Sequence, residues 1–502
     1  MPYGYDLVIK NARIVDGTGG PWRRGDVALK DGRISFIGKV DSALAGESID
    51  ACDRVLAPGF IDIHTHADRE AVKLHLMENY LQQGVTTLLG GNCGFSMFPI
   101  AEHLKEMSDL PLTINYGLFV GHGSLREAAM GLGMRPPSSL ELIEMTRLAG
   151  QAMQDGAFGM SIGLYYAPGS FAELREVVTV AREIGKHGGI ITIHLRDESN
   201  YNIGLVEAVN EAINIAREAR VPVQISHLKC LGRPVWGKSQ EILSIIADAR
   251  AQGLDVAFDQ YPYEASGTAI TGAIIPRWAQ DGGDDELAGR LRDPEMRQRI
   301  RAEMLENIER RGGPASLVIA LYPPDPKLNG KNLAEAGLVH GMEPVDAAIE
   351  MQIKGGASLV SFNMIDDDIN TIMCHPTGMF VSDGSLVPYG EGVPHPRYYG
   401  TFPRVLGRYV REKQILSLEE AIRKMTSAPA GRVGLTDRGV IATGMVADLV
   451  LFDPETIADL STFDAPHNYN SGIDLVIVNG KIAMNASGMT ENRAGRVLRK
   501  PI

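Results

Sequence analysis

The sequence predicts an α/β protein: a (β/α)8 TIM-like barrel, a small β-sandwich formed by both chain ends, and an insertion between strands 7 and 8. Three observations predict it. The middle of the chain alternates apolar strand-like runs with helically spaced stripes. Both ends carry short β-rich runs, and one long segment breaks the rhythm before the last strand.

At the start of the chain, 6–10, 13–15, 25–30 and 33–38 are β-rich runs punctuated by Gly and Asp, and 447–452 and 475–479 have the same texture. Neither end offers enough apolar surface to stand alone, so the two are expected to pair into one domain, 1–57 with 436–502. The remaining 58–435 is the expected barrel. Its candidate strands are 59–64, 85–90, 111–120, 158–162, 190–194, 221–227, 254–260 and 379–382. Leu205, Ala208, Val209, Ala212, Ile213 and Ala216 form one helical stripe, and Ile242, Leu243, Ile245, Ile246 and Ala249 form another. A barrel of this kind carries its active site at the C-terminal ends of the strands. No GxGxxG follows a strand, which argues against a doubly wound dinucleotide fold. Between strands 7 and 8, residues 281–340 read as an insertion, helix-like over 285–311 and strand-like over 315–321, placed to cover the barrel mouth.

Bulk numbers narrow the function. The 502 residues include 49 basic and 62 acidic side chains, a formal charge of −13. That field repels phosphate backbones and no Lys/Arg tract reverses it locally, so nucleic acid is not an expected partner. With 44% hydrophobic and 22% charged residues, the composition is that of a folded globular chain. Cys52, Cys93, Cys230 and Cys374 are too sparse for a disulfide framework. No stretch approaches the ~18 apolar residues of a membrane span, and the first ten residues lack the pattern of a signal peptide. The expectation is a cytoplasmic protein with no membrane partner.

Chemistry concentrates at the predicted strand ends. The run Gly59-Phe60-Ile61-Asp62-Ile63-His64-Thr65-His66 puts two imidazoles two residues apart at the end of an apolar strand, on one face if the strand continues. Asp62 falls on the opposite face and is assigned to structure. His194 ends strand 5, His227 ends strand 6, Cys93 follows strand 2 in Gly90-Gly91-Asn92-Cys93, and Asp383 closes strand 8. Taken singly, each is more often a structural histidine or a small buried thiol. Five strands ending in His, Cys or Asp at one rim describe instead a catalytic Zn²⁺ site with N and S donors. His122, at the end of strand 3, is a candidate substrate contact or supporting residue, and Asp197 and Glu198 are candidates to orient a ligand. His75, His103, His187 and His340 fall in helical or loop segments and read as packing or surface residues.

With these motifs in view, the chain resembles the amidohydrolase superfamily over nearly its full length. The resemblance rests on Ala57-Pro58-Gly59 through His66, the strand-5 and strand-6 histidines, the strand-8 aspartate and the tail Gly444-Met445-Val446-Ala447-Asp448. Strand 4 holds no lysine that could bridge two metals, and Cys93 stands where the N-acyl-D-amino-acid deacylases (D-aminoacylases) keep a metal-binding cysteine. Gln260-Tyr261-Pro262-Tyr263 and the run from His395 to Arg404 are similar to that branch too.

That resemblance implies roles. Cys93, His194 and His227 hold a tight Zn²⁺, while His64 and His66 complete a second, weaker site through the Cys93 sulfur. Asp383 acts as general base. Lys229 and Tyr261 bind the substrate carboxylate. A further carboxylate-binding arginine has no counterpart where an ungapped count from Asp383 places it, because Thr371 stands there; Arg397 or Arg404 is the candidate replacement.

Elementary chemistry agrees: Zn²⁺ lowers the pKa of water from ~15.7 to roughly 7, and a nearby carboxylate can take its proton. The expected activity is zinc-dependent hydrolysis of small-molecule N-acyl-D-amino acids. The alternatives are a cyclic amidase or dihydroorotase-like hydrolase, which the missing strand-4 lysine disfavours, and a dipeptidase acting on D-residues. A barrel that only binds a partner is disfavoured because all six ligand and base positions are present.

Overall fold

Strands enclosed by a ring of helices are covered on both faces, so they are apolar throughout rather than alternating. The computed structural model, which describes residues 4–500, follows that rule. Eight segments are buried along their whole length: β1 (Phe60–Asp62), β2 (Val85–Gly90), β3 (Asn115–Leu118), β4 (Gly159–Gly163), β5 (Ile190–His194), β6 (Val223–Ile225), β7 (Val256–Gln260) and β8 (Gly378–Phe380). Parallel pairing runs β1–β2–β3 and β4–β5–β6–β7–β8. Val120–Gly121, just after β3, pairs with β4 and joins the two arcs. Beyond the strands, a parallel bridge between Thr65 and Gly384, with Asp383 N donating to His64 O at 3.0 Å, closes the ring.

The outer helices use the predicted stripes. Leu205–Ala219 buries Leu205, Ala208, Val209, Ala212, Ile213 and Ala216. Ser239–Ala251 buries Ile242, Leu243, Ile246 and Ala249, with Ile245 only half-buried at the edge of the stripe.

Both chain ends contribute to one continuous nine-stranded sheet. Tyr5–Ile14 pairs with Arg23–Lys30 and Ala45–Asp50, and Val55–Pro58 pairs antiparallel with Leu449–Phe452. Leu29 and Ile34 from one side of this sheet and Leu475 and Ile477 from the other share a single buried cluster. The sheet therefore wraps around its own apolar face, as a sandwich does.

The interruption between β7 and β8 is wider than 281–340. Ala265–Ala269 and Leu317–Leu321 flank Ser358–Phe362 in a three-stranded antiparallel sheet. Helices Asp284–Arg292, Pro294–Arg310, Leu333–His340 and Pro344–Ile353 belong to the same unit, and Ile300, Met304, Ile308, Leu317 and Ile349 lie in its separate core. Of the two flanking strands the sequence shows only Leu317–Leu321, because Ala-Ser-Gly-Thr-Ala at 265–269 carries little β-branched or aromatic content.

Candidate active site

The site lies where the barrel strands end. Several expected strands stop short of their chemistry: β1 ends at Asp62, β6 at Ile225 and β8 at Phe380. The residues that follow leave the strand path. Cys93, His227 and Asp383 have φ of 55°, 36° and 48°, left-handed backbone that L-residues adopt at a cost of order 1–3 kcal/mol each. The Cys93 carbonyl abuts Gly163 at the end of β4, where any side chain would collide with it.

The Cys93 thiol is the geometric centre. Its Sγ lies 3.4 Å from His64 Nε2, 3.5 Å from His194 Nδ1 and 3.4 Å from His227 Nε2, and all four side chains are buried. His66 reaches the same rim despite the early end of β1; its Nε2 is 3.0 Å from Asp383 Oδ1, and its side chain is 34% exposed. Asp383 Oδ1 also lies 3.5 Å from His64 Nε2. Three overlapping groups thus meet at this rim, His64–Cys93–His227, His64–His66–Asp383 and His194–Glu198–His227.

The electrostatics suit a cation. Burial pushes the imidazoles of His64, His194 and His227 well below the ordinary range, so each is neutral and offers a lone pair. Burial also pushes the Cys93 thiol well up; a positive ion among these donors is what makes its thiolate favourable. In a tetrahedral zinc site with Zn–S of ~2.3 Å and Zn–N of ~2.05 Å, sulfur and nitrogen stand about 3.6 Å apart. The observed 3.4–3.5 Å separations fit.

Carboxylates support the donors from outside. Glu198 is shared: Oε1 lies 3.1 Å from His227 Nδ1 and Oε2 lies 3.6 Å from His194 Nε2. Asp259 takes the His227 backbone N–H at 2.6 Å and stands 3.7 Å from His64 Nδ1. Burial lifts Asp259 and Asp62 to about 7. Burial acts upward on Asp383 too, but Arg397, His227, His66 and His64 outweigh it and hold that carboxyl well below the usual range.

Of the expected substrate contacts, Lys229 lines the cavity and donates to Glu198 Oε1 at 2.5 Å, with its Nζ 2.7 Å from His227 Nδ1. Tyr261 lines it as well, and its buried hydroxyl has no protein partner. Arg397 stacks over the Tyr261 ring at 4.7 Å and pairs with Asp383 Oδ2 at 2.8 Å. Arg404 turns elsewhere, to Asp459 and Pro262. His122 is a correction: it opens the helix His122–Met130, is fully buried, and sets its Nε2 3.0 Å from Glu176 Oε1 rather than lining the cavity. The Gly121-His122 step begins that helix, which carries the ring away from the rim.

Glu198 faces the outer nitrogens of His227 and His194, while Asp197 instead accepts backbone N–H groups of Ser199, Asn202 and Gly204. Asp62 is structural, accepting from the N–H groups of Ser382 and His64. Sequence reading missed Asp259, although period two puts it on the face of Tyr261. It also missed Tyr165, Tyr166 and Arg311, which line the cavity. Arg311 ends a polar helix and carries no local signal.

Known proteins agree with this geometry. The amidohydrolase family model matches residues 47–484. A D-aminoacylase from Alcaligenes xylosoxydans xylosoxydans is 35% identical over 98% of this chain and 97% of its own length. An N-acyl-D-glutamate deacylase from the same organism is 37% identical, covering 99% and 96%. A crystal structure of D-aminoacylase superposes with a TM-score of 0.85 at 34% identity, over 99% of this chain and 100% of that one. The N-acyl-D-glutamate deacylase of Bordetella bronchiseptica, complexed with zinc and a phosphonate mimic of the tetrahedral intermediate, gives 0.86 at 33% identity and 99% of each. A D-hydantoinase, at 16% identity and a TM-score of 0.60, shares the fold alone. The chain belongs to the amidohydrolase family, on its D-aminoacylase branch.

Proposed function

We propose that this chain is a zinc-dependent hydrolase that cuts the amide bond of N-acyl-D-amino acids, releasing a carboxylate and a free D-amino acid. The observation that carries the reading is the Cys93 thiol, equally close to three buried neutral imidazoles with the Asp383 carboxylate on the same rim. Cys93, His194 and His227 hold the tight metal, and His64 and His66 offer a weaker second position that shares Cys93. When bound, Zn²⁺ supplies hydroxide at neutral pH and polarises the scissile carbonyl.

The protein supplies the rest. Asp383 is held ionised at neutral pH by the Arg397 guanidinium beside it, so it can accept the proton of the attacking water at Oδ1. The same carboxyl then returns that proton to the departing amine nitrogen. Lys229, kept in place by Glu198, Tyr261 through its free hydroxyl, and Arg397 beside it form a cationic end for the α-carboxylate. Fixing carboxylate and carbonyl together leaves the α-substituent one open direction, which makes a single hand of substrate productive. The D hand follows from the relatives named D-aminoacylase and N-acyl-D-glutamate deacylase.

A panel of N-acetyl D- and L-amino acids, assayed for amine release, tests the reading. Turnover confined to D-substrates is expected. Equal turnover of both hands, or cleavage of cyclic imides alone, contradicts it.

A further inference from the structure

The active-site cavity holds one positive charge that the reaction just described does not use. Arg311 follows the helix Pro294–Arg310 of the inserted unit, is only 2% exposed, and lines the cavity. Its Nε donates to Ala273 O at 2.9 Å and its Nη2 to the Tyr165 hydroxyl at 2.9 Å. With the Asn363 amide turned to accept from the Ser266 hydroxyl, its oxygen also takes a 3.3 Å bond from Arg311 Nη1. Every one of these partners is neutral.

Guanidinium stays charged in any protein environment, and a buried charge without a counter-charge is costly. Four other buried cations meet a carboxylate: Arg126 meets Glu176, Arg397 meets Asp383, Arg438 meets Asp448 and Lys229 meets Glu198; a fifth, Lys424, lies outside the cavity lining and donates to the carbonyls of Met373 and His375. Among the described residues, no carboxylate pairs with Arg311. The nearby Arg277 adds a second charge satisfied only by carbonyls, those of Thr271, Ile275 and Gly272, and stacks 4.1 Å over the Tyr165 ring. The Tyr201 ring lies under Arg310 and Arg311, and its hydroxyl is buried without a partner.

This group is separate from the cations assigned to the α-carboxylate. Lys229 and Arg397 share the Tyr261 ring, whereas Arg311 shares Tyr165 and Tyr201 with Arg277 and Arg310. The cavity is therefore built with two cationic places and a carboxylate supplied by the protein at only one of them.

We propose that Arg311 receives a second carboxylate of the substrate, so that the preferred substrates are dicarboxylic N-acyl-D-amino acids. The inference rests on the deacylase reading above. The second carboxylate can sit on the amino-acid side chain or on the acyl group; either places an anion on the Nη edge of Arg311.

The test compares each acid with its neutral isostere. One arm sets N-acetyl-D-glutamate and N-acetyl-D-aspartate against N-acetyl-D-glutamine and N-acetyl-D-asparagine. The other sets N-succinyl-D-leucine against N-succinamoyl-D-leucine. A charge-assisted pair predicts a kcat/KM about ten- to a hundredfold higher for the acid in one arm, which also identifies the source. In Arg311→Gln the acid-to-amide ratio falls to near one, and Arg311→Lys retains part of it. The ratio is internal to each protein, and the wild-type ratio decides the matter even if a variant fails to fold. Equal turnover of acid and amide in both arms, or a preference that survives in Arg311→Gln, overturns the proposal while leaving the deacylase reading intact. No amine release from any of these substrates overturns both.

Discussion

The sheet built from the two chain ends and the mouth of the barrel treat buried polar groups in opposite ways. In the end sheet each buried carboxylate is used. Asp26 accepts the N–H groups of Asn11 and Val40, and Asp448 takes Arg438, Asn115 and the Asn479 N–H. At the barrel mouth, His64 Nδ1, His194 Nε2, the Tyr261 hydroxyl and Arg397 Nε are buried with no hydrogen-bond partner. Three mouth residues also sit in left-handed backbone. Unpaired buried groups cost about 1–3 kcal/mol each. Folding alone does not need them, so the difference marks where the molecule gives up stability for chemistry.

The contrast predicts that mouth substitutions remove activity with little loss of stability, and sheet substitutions do the reverse. The largest effect is expected from His194→Ala or His227→Ala, each of which removes one of the three donors proposed for the tight metal. Metal content and turnover should both collapse while the melting temperature of the metal-free protein changes little. Full activity in a variant lacking both histidines sinks the donor set as drawn.

Asp383→Asn comes next. Its zinc content should be unchanged and its kcat lower by about 10²–10⁴, because an amide cannot take the water proton. An unchanged kcat with zinc retained moves the base to another group.

Lys229→Met should lower kcat/KM for N-acyl-D-amino acids by roughly ten- to a hundredfold, mainly through KM. Lys229 also holds Glu198, which in turn faces His227 and His194. A carboxylate-free amide separates the two roles: if it loses as much activity, Lys229 serves the ligands rather than the substrate. The smallest effect belongs to the sheet. Ile477→Val, in its buried cluster, should cost about 0.5–1.5 kcal/mol by denaturant unfolding and leave kcat/KM untouched.

The fold class was legible because parallel strands and outer helices leave separate apolar signatures, as in 190–194 and in the stripe from Leu205 to Ala216. Strand ends were less so: His64, His227 and Asp383 lie past their strands, and at His227 and Asp383 the backbone turns left-handed, so period two no longer applies. The extent of the inserted unit beyond 281–340 was not legible because its first strand, Ala265–Ala269, is short and Ala/Gly/Ser-rich and leaves no strand signal. Within the site, the histidines, Cys93 and Asp383 were visible as strand-end chemistry. Arg397 was weighed equally with Arg404, and only the Asp383 contact separates them. Glu198 could be flagged by adjacency to His194, but its reach to Lys229 spans thirty-odd residues of chain and exists only once β5 and β6 pair. His122 misled because a histidine after a strand and one opening a helix look alike in sequence.

The central claim, that the Cys93 thiol and the imidazole nitrogens around it hold a catalytic cation, is tested most directly by metal analysis and N-acetyl-D-amino-acid turnover on one sample. The sample is measured after dialysis, after chelation and after zinc is restored. The account predicts one zinc per chain retained through dialysis, activity lost in step with its removal, and activity regained on re-addition. Undiminished turnover from metal-free protein would contradict it.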